Sequence, residues 1–147
     1  MSSGTSFAEE ALQEENIVSK HMVAQAILTA HYIDAALKAG MDTATISNVL
    51  ASVAEQSVIS EFWVSDEQGN IEFTNIVGTP FKFPTDPESD SQAAPFAALL
   101  SGVETIVIQN TQPRELDGAS FKYVGVAGVD KQRIVQVGVS VSEMKQN

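Results

Sequence analysis

The chain has 147 residues, which suits one domain with a substantial core and is short for two. It carries 19 acidic and 8 basic residues, for a formal net charge of -11, and has no cysteine. The lack of cysteine excludes disulfides, thiolate catalysis and cysteine-ligated metal sites. The acidic balance argues against binding nucleic acid through its phosphates, which requires a basic face.

The first 57 residues predict a long helix followed by a shorter one. Residues 6–38 contain neither proline nor glycine and are rich in good helix formers, which predicts about nine helical turns. The first half of this helix is expected to project from the domain, and its more apolar second half to pack on it. Gly40 ends the helix, and Asp42 is placed to cap a second helix that ends near Ser57. One buried face of that second helix is expected from Ile46, Val49, Leu50 and Val53.

After the second helix the pattern alternates, which predicts strands. Residues 61–65 and 71–74 flank a turn in which Asp66 and Gly69 suit a type I turn closed by a left-handed glycine. Three further strands are predicted at residues 104–110, 120–129 and 133–141. Together these elements predict an α+β fold, a five-stranded antiparallel PAS-like sheet with the long N-terminal helix packed on it.

The segment at residues 76–92 contains three prolines and cannot form regular structure for long. We call it the middle loop. A loop of this length in a compact domain is either a binding loop or lid, or an inert surface excursion. Burial of Phe81 and Phe83 would require the loop to fold over the domain. A short helix with proline in its first turn is then predicted at residues 95–100, ending at Gly102.

The small residues of the last hairpin predict a flattened patch on the sheet, formed by Gly125, Ala127 and Gly138. If Asp130 and Lys131 are the centre of the turn, Gly125 faces Gln136 and Gly128 faces Arg133. The patch is expected to receive the Ala-rich second half of the first helix or, alternatively, to form the floor of a ligand cavity.

These elements together resemble a Cache domain, the PAS-like extracytoplasmic sensor module of bacterial chemoreceptors and sensor histidine kinases. The likeness covers about residues 10–141 and is carried by the long helix and three sequence segments. These segments are Phe62-Trp-Val-Ser-Asp-Glu-Gln-Gly-Asn-Ile71, Phe121-Lys-Tyr-Val-Gly-Val126 and Arg133-Ile-Val-Gln-Val-Gly138. A strand–Asp-x-x-Gly–strand hairpin also occurs in cytosolic PAS, profilin-like and roadblock-like domains.

The resemblance implies a single Cache-like sensor domain over residues 1–147, with the long helix at 6–39 and the PAS-like sheet domain at 42–141. It implies a periplasmic or cell-surface position in an inner-membrane protein, with flanking transmembrane helices outside this chain, whose two ends are then expected to be cuts. It also implies a role in chemotaxis or two-component signal transduction, with a small-molecule pocket between the sheet and the middle loop. The alternative is a cytosolic profilin- or roadblock-like interaction scaffold without a ligand.

The resemblance further implies a homodimer along the first helix. Apolar residues near heptad spacing in the N-terminal half of that helix are the expected contact: Phe7, Ala11, Val18 and Met22.

Catalysis, cofactors and metals are not expected. His21 and His31 lie ten residues apart on one helix, so about 80° separates them and they cannot easily share a ligand. The sequence contains no Gly-rich phosphate loop, nucleophile elbow or metal-ligand motif.

The ligand is expected to be a small carboxylate-bearing molecule, such as an amino acid or organic acid, held under the middle loop. An acidic domain repels anions at long range, so such a ligand needs concentrated local positive charge. Arg114 or Arg133 is the expected anchor because an arginine fork grips a carboxylate with two hydrogen bonds. Lys122 is a further candidate cation, and the alternative for all three is simple solvation, which is usual for surface Arg and Lys next to turns. Apolar walls are expected from Trp63, Phe83 and Tyr123. Strand alternation places Lys122 and Tyr123 on opposite faces, so both line one pocket only if the strand has a bulge.

Overall fold

The computed structural model describes residues 6–144, and the chain ends predicted to be cuts lie largely outside the described residues. The helices are α1 (Phe7–Lys38), α2 (Thr43–Gln56), α3 (Ala98–Ser101) and α4 (Val141–Met144), with a 3₁₀ turn at Ala94–Ala97. The strands are β1 (Glu61–Ser65), β2 (Ile71–Thr74), β3 (Ile106–Pro113), β4 (Ser120–Ala127) and β5 (Ile134–Ser140). The predicted α+β fold, with its long first helix and five-stranded antiparallel sheet, is confirmed.

The sheet has the strand order β2-β1-β5-β4-β3, so the last strand lies in its centre. The predicted register of the last hairpin is confirmed, because Gly125 pairs with Gln136 and the Gly128 amide donates to the Arg133 carbonyl. In the first hairpin, the Asp66 carboxylate accepts hydrogen bonds from the backbone amides of Gln68 and Asn70, which fixes the turn.

One face of the sheet is covered by α1 and α2. Apolar residues of α1 that recur at helical spacing pack on the inward side chains of the central strands and form the main core. These α1 residues are Met22, Ala26, Ala30 and Ile33. On α2 the buried face consists of Ile46 and Leu50, whereas Val53 is exposed, so the predicted face is correct only in part.

The opposite face of the sheet is covered by the middle loop, the 3₁₀ turn and α3. A second apolar cluster forms here from Trp63, Phe83, Phe96, Leu99 and Ile134. Because successive strand residues point to opposite faces, the sheet separates this cluster from the core under α1.

The predicted contact between the glycine patch and α1 is wrong. A Cβ atom on Gly125 would lie 2.7 Å from the Phe96 ring, and one on Gly138 would lie 2.5 Å from the Tyr123 ring. Both glycines therefore face the second cluster. Alternation along the strands defines which residues share a face, but it does not say which face the first helix covers.

The first half of α1 was expected to project from the domain, but α1 contacts the sheet earlier along the helix. The projecting part is shorter than half the helix, since Glu15 already contacts β3 and Ser19 is buried. Met22 is buried and Val18 packs against the main core. These two residues therefore face the sheet, and the predicted dimer stripe that includes them is not a free surface.

Candidate functional site

A cavity of about 120 Å³ lies on the face of the sheet that is turned away from α1, beneath the middle loop. Its aromatic walls come from three parts of the fold, with Trp63 and Tyr123 on the sheet, Phe81 in the middle loop and Phe96 in the 3₁₀ turn. The volume is below the roughly 300–1,000 Å³ of pockets for drug-sized ligands, so the cavity suits a molecule of a few heavy atoms.

The middle loop is folded over the sheet by its aromatic residues. Trp63 and Phe81 have ring centroids 5.4 Å apart, and Phe81 and Phe83 have centroids 4.9 Å apart, both in edge-to-face geometry. Phe83 is fully buried, and its amide donates to the Gly69 carbonyl at 2.9 Å. The glycine is required at this crossing because its φ is +86° and a Cβ atom would lie 2.4 Å from the Phe83 carbonyl oxygen.

A buried carboxylate, Glu61, lies at one side of the cavity. Its Oε1 accepts hydrogen bonds from the Trp63 indole N–H at 2.9 Å and from the Tyr123 hydroxyl at 2.8 Å. Its Oε2 accepts from Arg114 Nη1 at 2.6 Å. Burial raises the pKa of Tyr123, and the Glu61 charge raises it further, so the phenol remains a donor across the physiological range. Glu61 and Trp63 share a face because they are two residues apart on β1.

Arg114 is already engaged by groups of the protein itself. Its Nε and Nη2 each donate to an Asp117 carboxylate oxygen at 2.9 Å, and its Nη1 donates to Glu61 and to the Tyr123 hydroxyl. The guanidinium carbon also lies 3.9 Å from the centre of the Phe121 ring. The hydrogen bonds from Arg114 lower the pKa of Asp117 to about 2.

The end of the middle loop is joined to the β3–β4 connection by reciprocal hydrogen bonds. The backbone amide of Gln92 donates to the Glu115 carboxylate at 2.7 Å, and the Glu115 amide donates to the Gln92 side chain at 3.0 Å. Gln92 also donates to the Pro113 carbonyl, and Gln109 donates to the Gln92 carbonyl. These contacts hold the loop end beside Arg114 and so determine the shape of the cavity.

Gln136 is a polar residue of the cavity whose side chain has no partner among the described residues. It lines the cavity, only 5% of it is exposed, and within residues 6–144 its side-chain amide forms no hydrogen bond. It lies directly across from Trp63 in the β1–β5 pairing. Because the amide is open to the cavity and has no partner among the described residues, it is available to a molecule bound there.

Three of the six predicted site residues line the cavity: Trp63, Arg114 and Tyr123. Phe83 lies next to it in the second cluster. Lys122 and Arg133 are elsewhere, since Lys122 Nζ lies 3.4 Å from Glu15 on the α1 side and Arg133 pairs with Glu72 and Asp130. Arg114 is thus the one predicted anchor at the cavity. Ligand binding by these residues stays a prediction.

Sequence reasoning missed Glu61 and Gln136. Both are polar residues in strands, where alternation with apolar neighbours normally indicates a solvent-facing side. Their positions relative to Trp63, two residues away on β1 and opposite on β5, were the available signal.

The part of the chain that the structure describes contains no group of three His, Asp or Glu side chains able to hold a metal ion. No helix among those residues combines the length and apolarity that a membrane crossing needs. No protein-family model matches the sequence, and the curated proteins include no significant match to it.

Proposed function

We propose that this domain is the extracytoplasmic ligand-sensing part of a membrane-bound signal transducer of the Cache type, in a chemoreceptor or sensor kinase. The observation that carries the proposal is the aromatic-walled cavity, into which Gln136 brings a side-chain amide that has no partner within residues 6–144. Concave sites with apolar walls and a few convergent polar groups are typical of small-molecule binding.

Under this proposal the domain performs no chemistry and responds through different affinities for a ligand in two conformations. β4 links the two faces of the sheet, because Tyr123 lines the cavity and the adjacent Lys122 pairs with Glu15 of α1. A ligand that displaces the Tyr123 ring would thereby act on the contact that holds α1, and α1 would carry the change toward the membrane.

A thermal-shift screen against amino acids, carboxylates and amines tests the proposal. Ala93 lines the cavity, so Ala93→Phe is expected to fill it, while Ala44→Phe, at an exposed position of α2, is the control. A ligand at one hundred times its Kd should raise the Tm of the wild type and of the control by about 5–10 °C. It should leave Ala93→Phe unchanged. If no compound of any class stabilises the protein, the proposal is contradicted.

A protein-interaction scaffold is the second candidate, and a groove on the other side of the sheet favours it. The groove lies between α1 and the β3–β4 edge, where Ile27, Ile106 and Val129 are exposed. β3 is also an edge strand of the sheet. The flanking gene sequence distinguishes the two candidates, since apolar spans on both sides favour the sensor and their absence favours the scaffold.

A further inference from the structure

The cavity is electrostatically poor for a carboxylate. Glu61 and Glu115 line it beside Arg114, and Asp117 holds that arginine from outside the cavity, so three carboxylates surround one cation. Arg114 has five N–H donors, and four of them are accounted for by hydrogen bonds to Asp117, Glu61 and Tyr123. A ligand carboxylate would have to displace one of these internal acceptors.

Acceptors and aromatic faces are available at the same place. Glu61 has about four lone-pair directions, of which the three hydrogen bonds from Trp63, Tyr123 and Arg114 occupy three. The Gln136 amide is unpartnered within residues 6–144 and is able to present its oxygen to the cavity. An indole ring is also the strongest aromatic partner for a cation.

We propose that the cavity selects a small organic ammonium ion, bound by Glu61 and Gln136 between the aromatic walls. This inference rests on the proposed sensing function and specifies its ligand class, in place of the carboxylate expected from the sequence. The net charge of -11 supports it, because an acidic surface draws cations toward the site. The cavity volume of about 120 Å³ limits the ligand to a short carbon chain.

Isothermal titration calorimetry at neutral pH with n-propylammonium chloride tests the selection. Sodium propionate is the anionic counterpart, L-alanine is the zwitterion, and potassium chloride controls for a bare cation. We expect saturable binding of n-propylammonium alone. Two results would overturn the ammonium inference and leave the sensing proposal standing. In the first, propionate, L-alanine or potassium binds and n-propylammonium does not. In the second, potassium binds as well as n-propylammonium does.

Variants locate the binding. Gln136→Leu removes the unpartnered amide and leaves the Glu61 contacts in place, so it should weaken n-propylammonium binding about 10- to 100-fold. Gln13→Leu, at an exposed position of α1, is the matched control and should bind as the wild type does. Unchanged binding in a folded Gln136→Leu protein would overturn the assignment. If none of these probes and nothing in the thermal-shift screen binds, the sensing proposal itself fails.

Discussion

At the residue scale, the cavity depends on a hydrogen-bonded network that surrounds one buried carboxylate. Trp63, Tyr123 and Arg114 all donate to Glu61, and Asp117 fixes Arg114 from the opposite side. Such a network restrains its members because the loss of any one leaves the others unsatisfied in a low-dielectric site. The orientation of Tyr123, and with it the shape of the cavity, follows from this network.

The Asp117–Arg114 pair should make a pH-dependent contribution to stability. The pKa of Asp117 is lowered from 3.8 to about 2 in the folded protein, because Arg114 donates to its carboxylate. A lowered carboxylate pKa stabilises the fold above the unfolded value and loses that effect as the pH falls through the folded value. The Tm difference between wild type and Asp117→Asn should therefore be constant above about pH 5, fall between about pH 4 and pH 2, and be largely lost at pH 2.

Thermal unfolding followed by circular dichroism from pH 2 to pH 7 measures this difference. Asp90→Asn, which changes an exposed aspartate of the middle loop, is the matched control. A difference between wild type and Asp117→Asn that does not change across the range would show that the pair contributes nothing through its charge.

At the element scale, an acidic side chain near the start of α1 binds the strands at the far edge of the sheet. Glu15 accepts from the Thr111 amide at 3.0 Å and from the Thr111 hydroxyl at 3.2 Å, and it lies 3.4 Å from the fully buried Lys122 ammonium. Partial burial opposes ionisation of Glu15, but the Thr111 hydrogen bonds and the Lys122 charge together lower its pKa. This contact sets where the free part of the helix begins.

Removal of the Glu15 charge and removal of the Lys122 charge should have unequal effects on the free energy of unfolding. Glu15→Gln leaves a buried ammonium without a counter-charge, which should cost about 1–3 kcal/mol, less than for a fully buried pair because Glu15 is partly exposed. Lys122→Met removes the buried charge and should cost less than about 1 kcal/mol. Urea unfolding measures both, with exposed Glu14→Gln as the control. A larger cost for Lys122→Met than for Glu15→Gln would contradict the account.

Dimerisation through α1 stays a proposal, and the exposed residues of the helix are now the proposed contact. An exposed stripe with alternating four- and three-residue spacing runs along the solvent side of the helix. Its members are Ile17, His21, Ala24, Leu28, His31 and Ala35.

Leu28→Asp should weaken a dimer formed along this stripe, because it places a carboxylate at an apolar contact in an acidic protein. Leu12→Asp is the matched control, since Leu12 is equally exposed but lies off the stripe. Sedimentation velocity at high concentration measures the effect. A wild type that is strictly monomeric, or an equal loss in both variants, would contradict the proposal.

At the scale of the whole molecule, long periodic segments could be predicted from the sequence and tertiary placement could not. The bounds of α1, the Asp42 cap, the first hairpin and the register of the last hairpin follow from local patterns. Which elements cover each face of the sheet does not follow from these patterns, because the alternation of residues along the strands is compatible with either face. Glu61 and Gln136 are buried through tertiary contacts, which for Glu61 include Arg114 and Tyr123, so their pattern alone did not indicate a site.

In the proposed sensor, the two faces of the sheet have different roles. The cavity and the middle loop occupy one face, and α1 with its Glu15 contact occupies the other. The proposed site for a small ammonium ion lies on the first of these faces.

The single tryptophan of the chain reports directly on binding at this site, because the Trp63 indole N–H donates to Glu61 at the cavity wall. A ¹H–¹⁵N NMR titration of the protein with n-propylammonium chloride follows this one indole signal together with the backbone amides. We expect a saturable shift of the Trp63 indole signal and of the Tyr123 and Gln136 backbone amide signals, with the amide signals of α2 unchanged. If the indole signal shows no saturable shift, or if the shifts are confined to the groove around Ile27 and Ile106, binding at the Trp63 cavity is contradicted.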